Sequence, residues 1–293
     1  MRYVLENDTL RVEIDSFGAE LKSVKRKSDD KEYMWYADKK YWGRTSPVLF
    51  PFVGNCRNKE YRYGGKTYAI GQHGFARDME HTMESQTADT IWFSLHSNEE
   101  TMEKYPFAFV LKIGYNLTGN ELKVMWKVEN PDTKTLYFSI GAHPAFLCPF
   151  NGEENKLGYG LQFAGLKEVH HHGNTPDTGL AVMSEDIVIP LEDEKVYFTP
   201  GFFDRCTYMV EGKQTGEVSL VTPDGKPYVT MDFDAPLFAI WSPEGKDAPF
   251  VCIEPWYGRC DADDFEGTLE ERAYENAVEP EQTFEASYSI RYL

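Results

Sequence analysis

Two ionisable side chains of this sequence stand where apolar strand-like runs end, and both types can transfer protons. His143 lies in the stretch Gly-Ala-His-Pro-Ala-Phe at 141–146. Glu254 ends the apolar run 250–254 and precedes Pro255. Imidazole and carboxylate groups are frequent general acids and bases in enzymes. The pattern is compatible with acid/base chemistry, and equally with a satisfied core histidine and a glutamate that is solvated or paired with an arginine.

The surroundings of these two residues favour a partly desolvated pocket. Side chains alternate along a strand, so Cys252 and Glu254 share one face. Pro255 has no backbone N–H and is expected to end the strand. The neighbouring Trp256 is expected to shield the carboxylate from water. Gly141, two residues before the histidine, is expected to leave space for a ligand.

Three further residues are candidates for substrate contacts. His73 lies in Gly-Gln-His-Gly at 71–74, where glycines on both sides predict a tight loop that fixes the imidazole. A histidine in a surface turn is the alternative. Arg57 and Arg77 are candidates for binding substrate or for pairing with one of the 48 acidic residues.

Several other chemistries find no support in the sequence. The three consecutive histidines at 170–172 cannot all face one metal in a regular element, and they predict an exposed loop. The motifs H-E-x-x-H and G-x-S-x-G and a lysine-containing phosphate loop do not occur. The sequence therefore predicts no metal site and no cofactor.

Composition limits the partners and the location. The formal net charge of −18 repels nucleic acid and anionic membranes, so neither is expected as a partner. Neither an apolar leader run nor a segment of about 18 apolar residues, as a spanning helix needs, occurs. The five cysteines are odd in number and form no C-x-x-C pair, which argues against a disulfide framework and favours the cytoplasm.

Short runs of alternating apolar and polar residues, separated by turn signals, predict an all-β fold. The candidate strands are residues 10–14, 20–24, 90–94, 109–115, 122–128, 136–140, 228–233, 237–241, 250–254 and 287–291. Short helices are predicted at 37–43 and 267–274, and a long loop at 147–180. Many short strands at this spacing predict a β-sandwich or barrel that occupies residues 1–293 as a single domain.

Three motifs in this order resemble the aldose 1-epimerase (mutarotase) family of the galactose mutarotase-like superfamily. They are His-Gly-Phe-Ala-Arg at 73–77, Gly-Ala-His-Pro-Ala-Phe at 141–146 and Ile-Glu-Pro-Trp-Tyr-Gly at 253–258. The opening segment 10–24 is also similar to that family's first strands. The resemblance covers nearly the whole chain and implies a large antiparallel β-sandwich with a sugar site in an open cleft.

The resemblance also implies a site. Glu254 matches the general base, His143 the general acid, and His73 a second histidine that contacts the sugar. Arg57 resembles the substrate-binding arginine, and Asp204 resembles a substrate-binding aspartate.

Other side chains are candidates to complete that site. Arg77 is a further candidate for substrate binding. Aromatic residues are candidates for stacking on a pyranose or for packing in the core; they are Trp241, Trp256, Phe75 and Phe150. The implied substrate is a small-molecule aldohexose, free or phosphorylated, and nothing in the sequence specifies an oligomeric state.

In mutarotation, Glu254 would take the proton of the O1 hydroxyl while His143 protonates the ring oxygen, from opposite sides of the anomeric carbon. The ordinary pKa values, near ~4.3 for Glu and ~6.5 for His, leave a window in which the first is ionised and the second protonated. A nearby Asp204 carboxylate is expected to raise the histidine pKa.

Three alternatives stay open. The first is a non-catalytic carbohydrate-binding or regulatory module on the same fold. The second is a glycoside hydrolase in which Glu254 pairs with Asp204 or Asp78. The third is a hexose-6-phosphate 1-epimerase with a cationic phosphate clamp; the candidates for that clamp are Arg44, Arg57, Lys59, Arg62, Arg77 and Arg205.

Overall fold

Two large antiparallel sheets dominate the computed structural model of the chain, which describes residues 1–205 and 207–293. One sheet has nine strands and the other eight. The predicted all-β sandwich is confirmed. Cys206 lies outside the described residues.

Twenty-five strands and four short helical turns follow one another along the described chain. The strands are β1 (Arg2–Glu6), β2 (Leu10–Asp15), β3 (Glu20–Arg26), β4 (Lys31–Glu32), β5 (Val48–Leu49), β6 (Glu60–Tyr63), β7 (Lys66–Ala69), β8 (Thr82–Gln86), β9 (Thr90–His96), β10 (Val110–Thr118), β11 (Glu121–Glu129), β12 (Leu136–Phe138), β13 (Ile140–Ala142), β14 (Ala145–Leu147), β15 (Gly160–Phe163), β16 (Glu168–Asn174), β17 (Ala181–Pro190), β18 (Lys195–Tyr197), β19 (Tyr208–Glu211), β20 (Glu217–Val221), β21 (Pro227–Phe233), β22 (Leu237–Trp241), β23 (Phe250–Tyr257), β24 (Asn276–Val278) and β25 (Thr283–Tyr292). The α-helix is α1 (Glu99–Lys104), and the 3₁₀ turns are Arg57–Lys59, Ala76–Asp78 and Leu269–Glu271.

The strand order shows which elements reach the site. The nine-stranded sheet runs β18-β15-β20-β21-β25-β11-β10-β9-β8. The eight-stranded sheet runs β17-β16-β19-β22-β23-β13-β5, with β14 paired to β23 beside β13. A four-stranded sheet, β1-β2-β3-β4, and two hairpin-like pairs, β6-β7 and β12-β24, complete the described strands. The strand β23 lies inside the eight-stranded sheet, and its residues 250–256 are all buried.

The period-two pattern in the sequence matches burial in the core. In β11, Leu122, Val124 and Trp126 are buried, whereas Lys123 between them faces solvent. Successive strand side chains point to opposite faces, so one face packs inside the sandwich and the other meets water. This alternation is why the longer predicted strands are found in the structure.

The predicted helices were wrong or reduced to a turn. Residues 37–43 form no helix, and 267–274 contains only the 3₁₀ turn Leu269–Glu271. The helix α1, which was not predicted, is stabilised by a capping box between Asn98 and Thr101. With only six residues, it is too short to show a helical period in the sequence. The predicted loop at 147–180 is wrong in part, because it includes β15 and β16.

The described cysteines form no disulfide. Cys56, Cys148, Cys252 and Cys260 are all free and buried. Among the described helices, none combines the length and apolar character that a membrane crossing requires.

Candidate active site

His143 and Glu254 lie opposite one another at a gap in the eight-stranded sheet. β13 and β14 both pair with β23 in one continuous register, and the interruption between them is occupied by His143 and Pro144. That register places His143 across from Glu254. The expectation that Pro255 ends its strand is wrong, because β23 continues through Pro255 to Tyr257. No residue of β13 or β14 pairs with Pro255, so its missing N–H costs no ladder bond on that edge.

The imidazole and the carboxyl group are in direct contact beside an open cavity. His143 Nε2 lies 3.4 Å from Glu254 Oε2, and both side chains are buried. Both line a cavity of about 440 Å³, a size typical of small-molecule sites. The two groups are therefore neighbours along one wall and are not separated by the width of a sugar.

Two tryptophans fix the plane of the His143 ring. The indole of Trp42 stacks on the imidazole with centroids 4.6 Å apart, and Trp241 meets it edge-on at 5.2 Å. Because these contacts hold the ring by its face and its edge, the imidazole keeps Nε2 towards Glu254 without help from a hydrogen bond at Nδ1. His143 Nδ1 is buried and has no hydrogen-bond partner.

Burial reverses the charge states expected from the sequence. It raises the pKa of Glu254 well above its ordinary value, and a smaller interaction with Trp256 acts in the opposite direction. Burial, together with the positive charge of Arg77, lowers the pKa of His143 to about 3. Burial therefore favours the neutral form of both groups, in which the pair carries one proton, on the carboxyl group. The prediction that Asp204 raises the pKa of His143 is wrong, since Asp204 faces a different cavity.

His73 presents a defined tautomer to the same cavity. Its Nδ1 accepts a hydrogen bond from the Gly54 N–H at 3.0 Å, while its own backbone N–H donates to the Gly54 carbonyl at 2.8 Å. Because Nδ1 is an acceptor, the ring proton is on Nε2. Burial lowers the pKa of His73 well below its ordinary value, so the ring stays neutral and offers one N–H donor.

Arg77 brings a positive charge to the edge of the cavity. Its Nη2 donates to the Gln72 carbonyl at 2.7 Å, and its buried Nε has no hydrogen-bond partner. Asp78 lies 3.8 Å from that Nε and also accepts a hydrogen bond from Arg44 at 2.8 Å. Two guanidinium groups thus share one carboxylate, while the acidic residues Asp177 and Glu244 also line the cavity.

Trp256 lines the cavity, and its position depends on Gly141. A Cβ atom at Gly141 would lie 2.6 Å from Cδ1 of Trp256. The space beside His143 that the sequence suggested was for a ligand is therefore occupied by the indole.

Substitution Gly141→Ala is expected to displace the Trp256 indole and to narrow the cavity. A methyl group at 2.6 Å cannot be accommodated without moving the ring. We expect a shift in tryptophan fluorescence and weaker binding of any cavity ligand. Gly71→Ala is the matched control, because a Cβ there has no atom within 4 Å. An unchanged emission spectrum in Gly141→Ala would contradict the close packing of these residues.

Two predicted substrate-binding residues do not reach this cavity. The Arg57 guanidinium donates to the Phe265 carbonyl at 3.1 Å and contacts Glu266 at 3.2 Å, in a separate cavity of about 330 Å³. Asp204 accepts a hydrogen bond from the Gly245 N–H at 3.2 Å and lines a third cavity, of about 300 Å³. Neither lines the cavity built around Glu254 and His143.

Part of the cavity wall was missed in the sequence. Trp42 comes from the segment predicted as a helix, and one flank comes from the turn after β16. Asn55 ties that turn to the opposite wall, since its Nδ2 donates to the Thr178 carbonyl at 2.8 Å. Further lining residues without a sequence signal are Asn174, Pro176, Asp177, Thr178, Gly179, Thr207, Met209 and Glu244.

The aromatic candidates divide between the cavity and the core. Trp241 and Trp256 line the cavity. Phe150 stacks on Tyr228 at 4.6 Å inside the sandwich, and Phe75 packs against the same core. Core packing is thus the structural role of the two phenylalanines.

Known proteins are similar to this chain over most or all of its length. A sequence model described as aldose 1-epimerase matches residues 1–262. The chromosomal protein LacX of Lactococcus lactis subsp. lactis is 31% identical over the whole length of both chains. A galactose mutarotase related enzyme from Lactobacillus acidophilus is 37% identical, with a TM-score of 0.94 over 100% of this chain and 97% of that one. A galactose mutarotase-like protein from Lactobacillus casei is 29% identical, with a TM-score of 0.91 over the full length of both.

A β-sandwich with these neighbours is a galactose mutarotase-like protein. The family match covers most of the residues. The chain belongs to the aldose 1-epimerase family and is an isomerase that acts on sugars.

Proposed function

We propose that this protein interconverts the α and β anomers of an aldohexose by acid/base ring opening. The observation that carries the proposal is the direct contact of His143 and Glu254 at the wall of an open cavity. The two oxygens that exchange protons in this reaction, O1 and O5, are both bonded to C1. Adjacent acid and base groups are therefore suited to act on them together.

In the forward step Glu254 takes the proton of the O1 hydroxyl while His143 gives a proton to O5. The C1–O5 bond breaks, C1=O1 forms, and the open aldehyde rotates about C1–C2. On reclosure the O5 hydroxyl attacks C1, His143 takes its proton back, and Glu254 returns a proton to O1. Protons and charge balance over the cycle, and the step consumes no co-reactant.

With a single proton on the pair, Glu254 can act as the base and His143 as the acid without a change in the net charge of the pair. Moving the proton from Glu254 to His143 across their 3.4 Å contact converts a neutral pair into a carboxylate and an imidazolium. Sugar hydroxyls and the Nε2–H of His73 replace lost solvation around the charged groups, which favours the ionised form when substrate is bound.

The reaction class is tested by polarimetry on freshly dissolved α-glucose and α-galactose. We expect the wild-type protein to speed the approach to the equilibrium rotation. Binding of either sugar without acceleration would favour a non-catalytic module, and release of the aglycone from an aryl glycoside would favour a hydrolase.

A hexose 6-phosphate is the second candidate substrate, favoured by the Arg77 guanidinium at the cavity, whose buried Nε has no hydrogen-bond partner. The same assay with glucose 6-phosphate separates the two. If the phosphorylated sugar is the substrate, its kcat/KM exceeds that of glucose by more than about tenfold, the value of roughly 1.4 kcal/mol of additional binding. Arg77→Gln would then lower kcat/KM for the phosphate and leave that for glucose less affected.

A further inference from the structure

Three potential metal donors converge behind the cavity wall. Cys252 and Glu254 share one face of β23, and His143 lies opposite them across the gap. One ligand atom from each residue lies within 4.8 Å of the other two, and all three residues are buried. Acid/base catalysis by Glu254 and His143 makes no use of the Cys252 thiol.

The carboxyl group in this cluster has an unused buried lone pair. Glu254 is 1% exposed, and its Oε2 has no hydrogen-bond partner although His143 Nε2 lies 3.4 Å away. Buried polar atoms are normally paired, and one proton across 3.4 Å joins this oxygen to the nitrogen only weakly, so the oxygen keeps an unsatisfied bonding capacity. A cation in contact with both atoms would satisfy it.

Donor type and spacing favour one class of ion. Thiolate, imidazole and carboxylate together suit zinc and similar borderline-soft divalent ions. In a tetrahedral zinc site with bonds of about 2.0–2.3 Å, ligand atoms are about 3.3–3.6 Å apart. The 3.4 Å contact already has this spacing, and the Cys252 thiol lies within 4.8 Å of both other ligand atoms.

We propose that Cys252, His143 and Glu254 form a zinc-binding site whose occupation blocks the active site. The three side chains supply three ligands, and the fourth position is open to the cavity. Binding releases the thiol proton and the carboxyl proton, so the two negative ligands neutralise the ion in a buried place. Zinc held there removes both proton-transfer groups from reaction, and it is an inhibitor, not a cofactor.

Cobalt(II) titration of the full chain tests the site without reference to activity. We expect a thiolate-to-cobalt charge-transfer band and the visible spectrum of a four-coordinate ion, both displaced by zinc. Cys252→Ser and Cys252→Ala are expected to lose the charge-transfer band. Cys260→Ala is the matched control, since its thiol lines the same cavity outside the donor set and the band should remain. Circular dichroism establishes that each variant is folded.

The results separate this inference from the proposed function. Absence of the band in wild type, or its persistence in both Cys252 variants, would overturn the site. A band that depends on Cys252 in a protein without mutarotase activity would retain the site and reject the function. If both hold, zinc inhibits the wild-type protein. The inhibition constant for zinc should be at least tenfold higher in Cys252→Ser than in wild type, with the inhibition of each protein measured against its own rate in metal-free buffer.

Discussion

Glu254→Gln is expected to lower kcat for mutarotation by about 10²–10⁴-fold, the range of one positioned acid or base. Glutamine keeps the size of the side chain but cannot accept and return a proton. The substitution introduces no charge and keeps the neutral character that burial favours for Glu254, whose pKa it raises well above the ordinary value. A folded, inactive variant is therefore expected, with the stability of wild type within about 1 kcal/mol.

His143→Gln is expected to cause a loss of the same size, and the double variant little more than either single one. The two groups transfer protons in one concerted cycle, so removing one leaves the other without its partner. Glu244→Gln is the matched control, because Glu244 lines the same cavity away from the pair, and its effect should stay below tenfold. Multiplicative losses in the double variant would show that the pair does not act as a unit.

The charge state of the pair predicts an unusual pH dependence. Burial lowers the pKa of His143 to about 3 and raises the pKa of Glu254 well above its ordinary value, so the neutral form of both groups is favoured. We therefore expect kcat/KM to show no inflection near ~6.5. It should fall in acid only as His143 takes up a proton, near its pKa of about 3, which leaves the pair without a base. An inflection near ~6.5 would instead indicate a solvated imidazole, as reference pKa values predict.

The sequence was informative where a residue's neighbours along the chain determine its environment. Alternation predicts β2, β10 and β11, because burial of one face follows from the two-residue period of a strand. The motifs around His73, His143 and Glu254 likewise identify the three residues that the structure brings to one cavity. Each lies at or next to a strand of the same sheet or in a loop bonded to it.

The rest depends on contacts between distant segments. Pro255 can lie inside β23 because of the gap between β13 and β14, which lie more than a hundred residues earlier. Rules based on neighbouring residues cannot predict such a contact. Arg57 is close to Gly54 in sequence, but the 3₁₀ turn Arg57–Lys59 directs its side chain to Phe265. The charge states of Glu254 and His143 were mispredicted for the same reason, since their pKa values are set by burial among residues from other strands.

Arg272→Met is expected to destabilise the fold by about 3–5 kcal/mol, the cost of breaking a buried ion network. The buried guanidinium donates to Asp261 at 2.7 Å, to Glu275 at 2.9 Å and to the Arg259 carbonyl at 2.8 Å. Removing it leaves two carboxylates buried without their main partner. The effect reaches the site, because Asp261 donates its N–H to the carbonyl of Asn55 in the cavity wall.

The pH dependence of this loss identifies its cause. Burial raises the pKa of Glu275 to about 7 even though Arg272 acts to lower it, so without Arg272 that pKa rises further. A raised pKa means that the folded state keeps a proton that the unfolded chain has lost, so stability falls as pH rises above the unfolded value of 4.5. The deficit of Arg272→Met in urea unfolding should therefore be larger at pH 8 than at pH 5. Arg291→Met, which breaks a partly exposed pairing with Glu217, is the control and should cost at most about 1 kcal/mol. A deficit equal at both pH values would mean that lost packing over Phe52, not unpaired charge, dominates.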